Sequence, residues 1–421
     1  MPISRPPVEV PASDAGPIAG DTKRAIMAST SGSSGSIPRC GKGPSLSANP
    51  LIPETAAEDD RSNCPHGSHP RHSVGFVTMI LAGDIGGTKC NLAIFREAEG
   101  ASLHPIFERR YSTRDFSRFE DLVKQFRRQA AEAGFGAGER IHAAGFGVAG
   151  AVVEGQLHAN NLPWALNLPE LARRLEVGLE NVVLLNDVVA TAWSLDRLPA
   201  KDLATLNQGV LQPNATRALM AVGTGLGEAL LVCDGRQYRV FPSEGGLADF
   251  APRTDREIQL LIHLKTRLPN VCCEDVLSGR GIRAIHEFLD PNVRHPSFEG
   301  SGADPAREIT EQASAHACPV CVTTLDLWTE AYGSAAGNLA LQALALGGVY
   351  VAGGIAPKIL AKLQDGTFFR AFCDKTKLSP VLARIPIYVV LNENAPVWGA
   401  AYRALAAAHS SHIPKPQRKA G

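Results

Sequence analysis

"LAGDIGGTKCNLAIF", residues 81–95, reads as two apolar β-runs joined at Gly86, Gly87 and Thr88. Aliphatic residues flank paired glycines, and that spacing predicts a hairpin. Such a turn offers backbone N–H groups with no Cβ in front of them, which suits an anion such as a phosphate. It is not the GxxxxGK[ST] loop, because a strand rather than a helix follows. Alone, a Gly-Gly-Thr turn is more often a chain reversal that binds nothing.

Two further glycine turns change that balance. "GTGLGEA", residues 223–229, mimics a dinucleotide fingerprint, but "EALLVCDG" continues as a strand where that motif must open a helix. Gly223, Thr224 and Gly225 therefore read as a second phosphate-gripping hairpin. "VAGGIAP", residues 351–357, puts Gly353 and Gly354 at the C-terminal end of a strand, where ligands sit in α/β sheets and backbone can approach a flat ring. Three such turns together favour ATP as ligand. Asp84, inside the first, is placed to hold Mg²⁺ through water.

Between the turns the chain alternates strands with helices, which predicts an α/β architecture. Helical spacing covers 117–134, 168–175, 255–268 and 323–346, and a buried strand covers 181–185. Hairpins in both halves imply a duplicated nucleotide-binding fold with two lobes and a cleft between them. The element order puts a small lobe at 77–197 plus 387–408, a large lobe at 198–386 and a tail at 409–421. Residues 1–76, rich in Ser, Pro and Gly without periodicity, read as a disordered extension. Met79, directly before the first strand, is an alternative natural start.

Composition narrows the class. The 421 residues are 44% hydrophobic and 20% charged, with 42 basic and 42 acidic side chains. A net charge of zero gives no nucleic-acid or polybasic membrane footprint. No run approaches the roughly 20 apolar residues of a membrane span, and no signal peptide is evident, so a cytoplasmic enzyme is expected. Nine cysteines, an odd number, suit reduced thiols. Cys318 and Cys321 have CxxC spacing, but zinc would need two more ligands and neighbouring His316 does not supply them. Thiols at a helix start are the expected reading.

"NVVLLNDVVATAWSL", residues 181–195, carries the candidate chemistry. An apolar strand stops at Asn186 and Asp187, and a helix takes over. Asp187 is either a helix cap, worth about 1 kcal/mol, or a rigidly placed carboxylate able to take a proton from an attacking hydroxyl.

In order, the segments "LAGDIGGTKCNLAIF", "FGVAGAV", "NNLPWALN", "LLNDVVATAW", "GTGLGEA", "SEGGLADFAPR", "EDVLSGRGI" and "GGVYVAGGIAPKIL" resemble those of bacterial glucokinases, from about Met79 to Ala408. The resemblance implies a two-lobed actin-like ATPase (ribonuclease H-like) fold with an interlobe cleft, a homodimer, and phosphorylation of the glucose 6-hydroxyl by Mg-ATP. It implies Asp187 as general base and Asn161, Asn186, Glu244 and Glu274 as sugar contacts. Acceptor-only carboxylates do suit a polyol's many O–H donors. Asp275, beside Glu274, is the alternative inward acid.

One position departs from the pattern. The family usually continues "EGG" with His, a sugar contact, where this chain has Leu247. Leucine makes no hydrogen bond, so weaker glucose affinity or tolerance of an altered sugar is expected. A kinase for another hexose or amino sugar, and a sugar-sensing relative with little turnover, are the alternatives. The clustered-cysteine zinc motif of repressor-type sugar kinases is missing, so no structural zinc is expected.

Overall fold

The computed structural model describes residues 78–98, 102–135, 140–153, 156–158, 162–300 and 303–411. The extension expected over 1–76 and the sugar contact Asn161 lie outside them.

The first sheet grows from the opening hairpin. β1 (Met79–Ile85) pairs antiparallel with β2 (Lys89–Ala98), and β2 pairs antiparallel with β3 (Ser102–Ser112). On the other side β1 runs parallel to β4 (Ala143–Val148), which runs parallel to β7 (Val182–Asn186). The order is β3-β2-β1-β4-β7. β5 (Ala151–Val153) and β6 (Gln156–His158) form a separate ribbon. β1 and β4 are buried along almost their whole length, as continuous apolar parallel-sheet strands should be.

The second sheet repeats the scheme. β9 (Arg217–Val222), β10 (Leu226–Cys233) and β11 (Tyr238–Ser243) form an antiparallel meander. β12 (Val349–Ala352) and β13 (Ile387–Val390) then add parallel to β9. β8 (Leu203–Asn207) closes the edge antiparallel to β13. The order β11-β10-β9-β12-β13-β8 reproduces β3-β2-β1-β4-β7 with one strand added. The duplication expected from the two glycine hairpins is therefore present in strand order and direction.

Helices cover these sheets. Helix Pro319–Ala343 buries Trp328, Tyr332 and a run of small residues on the second sheet. Helix Ala395–Ser411 buries Ala400, Ala401, Ala404 and Ala408 against the first. The chain returns to the first sheet later than element order suggested. Residues 387–390 are β13, hydrogen-bonded between β12 and β8, so the crossing falls at 391–394. The same helix runs to Ser411, past the expected tail boundary at 409.

Between the sheets lies helix Asp187–Ser194. Its Ala190 joins the core of the first sheet, while Val188 and Ala192 pack with Leu219, Ala229 and Leu231 of the second. Among the described residues no helix is long and apolar enough to cross a membrane.

Candidate active site

The switch from β7 to helix is made by Asn186. Its Oδ1 accepts the N–H groups of Val188 at 2.8 Å and Val189 at 3.2 Å, so Asn186 is the helix cap. Its Nδ2 donates to the Gly150 carbonyl at 2.9 Å. Asp187 is thereby the first helical residue rather than the cap. Among the described residues the second Nδ2 N–H of Asn186 has no partner and can meet a ligand.

Asp187 stands beside Asp84. The register of the parallel strands sets Asp84 opposite Gly147, and a Cβ added at Gly147 would lie 3.6 Å from the Asp187 Cα. The tighter contact of such a Cβ is Ala190 Cβ at 3.0 Å, so the helix that begins at Asp187 packs closely on this glycine. Burial lifts the Asp187 carboxyl to about 6, with repulsion from Glu244 adding to the rise against backbone N–H donors that oppose it. Burial, then the charge of Asp187, lifts Asp84 to about 7, while Arg110 pulls the other way. Arg110, held by Asn91 Oδ1 at 2.9 Å, is a site residue the sequence reading missed. Two half-buried carboxyls of raised proton affinity at neighbouring strand ends form a spot that a cation would relieve.

The glycine turns flank these acids. Gly86 closes its hairpin by donating to the Lys89 carbonyl at 2.9 Å, and Thr113 Oγ1 donates to the Gly86 carbonyl at 2.7 Å. Gly87 is half-buried, and Thr88 is exposed at the tip. In the second turn, Gly223 donates to Gly225 and its carbonyl accepts from Gly279, both at 2.9 Å. Thr224 is exposed. Gly353 has φ +91°, and Val222 backbone occupies the place of a Cβ. A Cβ at Gly223 or Gly354 would meet nothing within 4 Å, so both present open backbone surface of the kind a nucleotide can lie against.

Glu274, expected as a sugar contact, is bonded within the protein. Its Oε2 accepts the Leu226 N–H at 3.0 Å and its Oε1 accepts from Arg280 at 2.9 Å. A Cβ on Gly225 would come within 2.5 Å of that carboxylate. In the described conformation Glu274 braces the second glycine turn, and both its oxygens are engaged within the protein. Asp275 is no substitute, because its Oδ2 closes the start of its own helix, Cys273–Val276, by accepting the Cys272 N–H at 2.9 Å.

Glu244 is exposed at the end of β11, close enough to Asp187 to raise its proton affinity. Directly after the Gly245-Gly246 turn that follows it, Leu247 is 58% exposed. Beneath this turn lies another missed acid, Glu228. It is 8% exposed, its Oε2 fills the place of a Gly245 Cβ, and burial lifts it to about 7. The sequence concealed it inside "GTGLGEA", where alternation on β10 places every second side chain inward.

Known proteins match this arrangement along most of the chain. A family model described as glucokinase matches residues 81–407. The glucokinase of a Nostoc species is 38% identical over 343 residues, covering 77% of this chain and 98% of the relative. The glucokinase of a Synechocystis species is 37% identical over 347 residues, covering 76% and 96%. Among solved structures, a glucokinase from an Antarctic psychrotroph has TM-score 0.67 at 28% identity, covering 78% of this chain and 99% of that one. A Streptomyces griseus glucokinase of the ROK family, solved with glucose and AMPPNP, shares the fold at TM-score 0.54 and 21% identity, covering 78% and 99%. With its duplicated sheets, its paired acids and these relatives, the chain belongs to the glucokinase family.

Proposed function

We propose that the chain transfers the γ-phosphoryl group of ATP to the 6-hydroxyl of glucose. The observation that carries this reading is that Asn186 rather than Asp187 is the helix cap, while the half-buried Asp187 carboxylate, whose Oδ1 also accepts the Val188 N–H at 2.9 Å, stands close enough to Asp84 to raise that acid's proton affinity. The ionised Asp187 accepts the proton of the sugar hydroxyl. The freed oxygen forms a bond to the γ-phosphorus as the bond to the β,γ-bridging oxygen breaks, and ADP leaves. A carboxyl lifted to about 6 is a stronger base than an ordinary one and still ionised at pH 7.

The nucleotide lies on the Gly86–Thr88 and Gly223–Gly225 turns and on the open backbone at Gly354. Glu244 and the remaining Asn186 N–H meet sugar hydroxyls, and Asn161 is retained as a further contact. Asp84 is the residue that fits Mg²⁺ through water, because two neighbouring acids of raised proton affinity call for positive charge. The ion would supply neutralisation of phosphate charge. A cytoplasmic homodimer is part of the proposal.

The exposed Leu247 favours a second reading, a kinase for a hexose or amino sugar altered at the hydroxyl that His would contact. A coupled assay on a panel of hexoses and amino sugars, with Asp187→Ala as control, tests both. Glucose turnover lost by at least about 100-fold in the variant supports the assignment. A loss of only a few-fold overturns the role of Asp187, and a preferred amino sugar selects the second reading.

A further inference from the structure

Helix Gly279–Leu289, the loop after it and the first turn of helix Pro319–Ala343 bring together groups that phosphoryl transfer does not use. His286 is 0% exposed, and neither of its ring nitrogens has a hydrogen-bond partner. His295 Nε2 lies 3.2 Å from Cys321 Sγ. One ligand atom from each of His286, His295 and Cys321 falls within 4.8 Å of the other two. Cys318, the cap of the same helix, is near enough to Cys321 to perturb its thiol, although its sulfur lies outside that group of three and must close in to complete a four-ligand shell. Phe298 covers the group, its ring 5.2 Å from His286 and 5.3 Å from His295.

Burying an imidazole nitrogen without a partner costs about 1–3 kcal/mol. A His295–Cys321 hydrogen bond leaves His286 unsatisfied, and so does a Cys318–Cys321 disulfide. A cation that takes the His286 lone pair answers the observation. Two imidazole nitrogens and two sulfurs are the donor set of tetrahedral zinc. In such a shell nitrogen and sulfur stand about 3.5 Å apart, close to the His295–Cys321 separation.

We propose that His286, His295 and Cys321, with Cys318 as fourth ligand, bind one zinc-class divalent ion that fastens the two helices and the loop. The ligands the CxxC pair lacked in its own neighbourhood come from an upstream helix and loop, so this proposal replaces the expectation of no structural zinc. Binding forms a metal–sulfur bond as each coordinating thiol proton leaves to solvent.

The test uses the full chain, reduced, stripped with chelator and reloaded with Zn²⁺ or Co²⁺ alone. One zinc per chain, a thiolate-to-cobalt charge-transfer band with tetrahedral visible bands, and a zinc-dependent rise in Tm are expected. Cys321→Ser and His286→Gln should each lower affinity by at least about 100-fold, beyond the usual outer-shell loss, and abolish the Tm response. Asp84→Asn should keep the full stoichiometry. The wild-type cobalt spectrum is decisive even if a variant fails to fold. No charge-transfer band, or equal uptake by both ligand variants, overturns the site. So does loss of metal on Asp84→Asn, or a reduced pair that reoxidises to a disulfide without taking up metal.

Discussion

Asp84 and Asp187 stand at the ends of two strands that flank β4, and the charge of Asp187 helps lift Asp84 to about 7. This coupling makes activity depend on pH in a defined direction. Asp187 must be ionised to act as base, so kcat/KM should fall about tenfold per pH unit below about 6 and level off above. Asp187→Asn should lower kcat by about 10²–10⁴ and remove that limb from the residual profile. A pH–rate series on both proteins checks this, and an unchanged acid limb in the variant contradicts it.

Glu274 accepts the Leu226 amide, so its loss should loosen the second glycine turn. Glu274→Ala is expected to raise KM for ATP about tenfold, equivalent to about 1.4 kcal/mol, with glucose KM changed far less. Steady-state kinetics in both substrates decide the matter. A selective rise in glucose KM would restore the direct sugar contact first expected from the sequence.

Leu247 offers no hydrogen bond beside Glu244. Leu247→His should lower glucose KM by up to about tenfold, from one added bond worth about 0.5–1.5 kcal/mol. An unchanged or higher KM would count against a sugar facing this position.

Glu228 is buried with its carboxyl lifted to about 7 from an ordinary 4.5. The folded state binds this proton more tightly than the unfolded chain, so stability is fully present below pH 4.5 and declines as pH rises through about 7. Glu228→Gln removes the charge at nearly the same volume. It should be about 1–3 kcal/mol more stable than wild type at pH 8, with the gap closing towards pH 4.5. Denaturant melts at the two pH values measure the difference.

The sequence revealed most where one short stretch held the whole physical cause. The β1–β2 hairpin, the strand ending at Asn186 and the helix Leu168–Leu175 each announce themselves through local periodicity and a breaker. β3 was illegible because it is an edge strand with Pro105 and several exposed polar residues, so no clean alternation survives. The return crossing was misplaced because a four-residue strand such as β13 is short enough to be assigned to either sheet before its partners are known. The bracing bonds of Glu274 were illegible for the same kind of reason: its partner Leu226 is 48 positions away, and spacing alone does not show which acid braces a turn. His286 and His295 carried no signal, since neither belongs to a motif with the cysteines they approach.

Helix Gly279–Leu289 touches the nucleotide turn at its first residue, where Gly279 donates to Gly223, and carries His286 seven residues further on, about 10 Å along the axis. The proposed zinc and the proposed nucleotide would be coupled through this rod only where it has two postures that both ligands bias. If zinc holds its far end in the posture ATP prefers, ATP must tighten zinc by the same factor, because linkage is reciprocal. Metal supply would then set how readily this kinase engages its fuel.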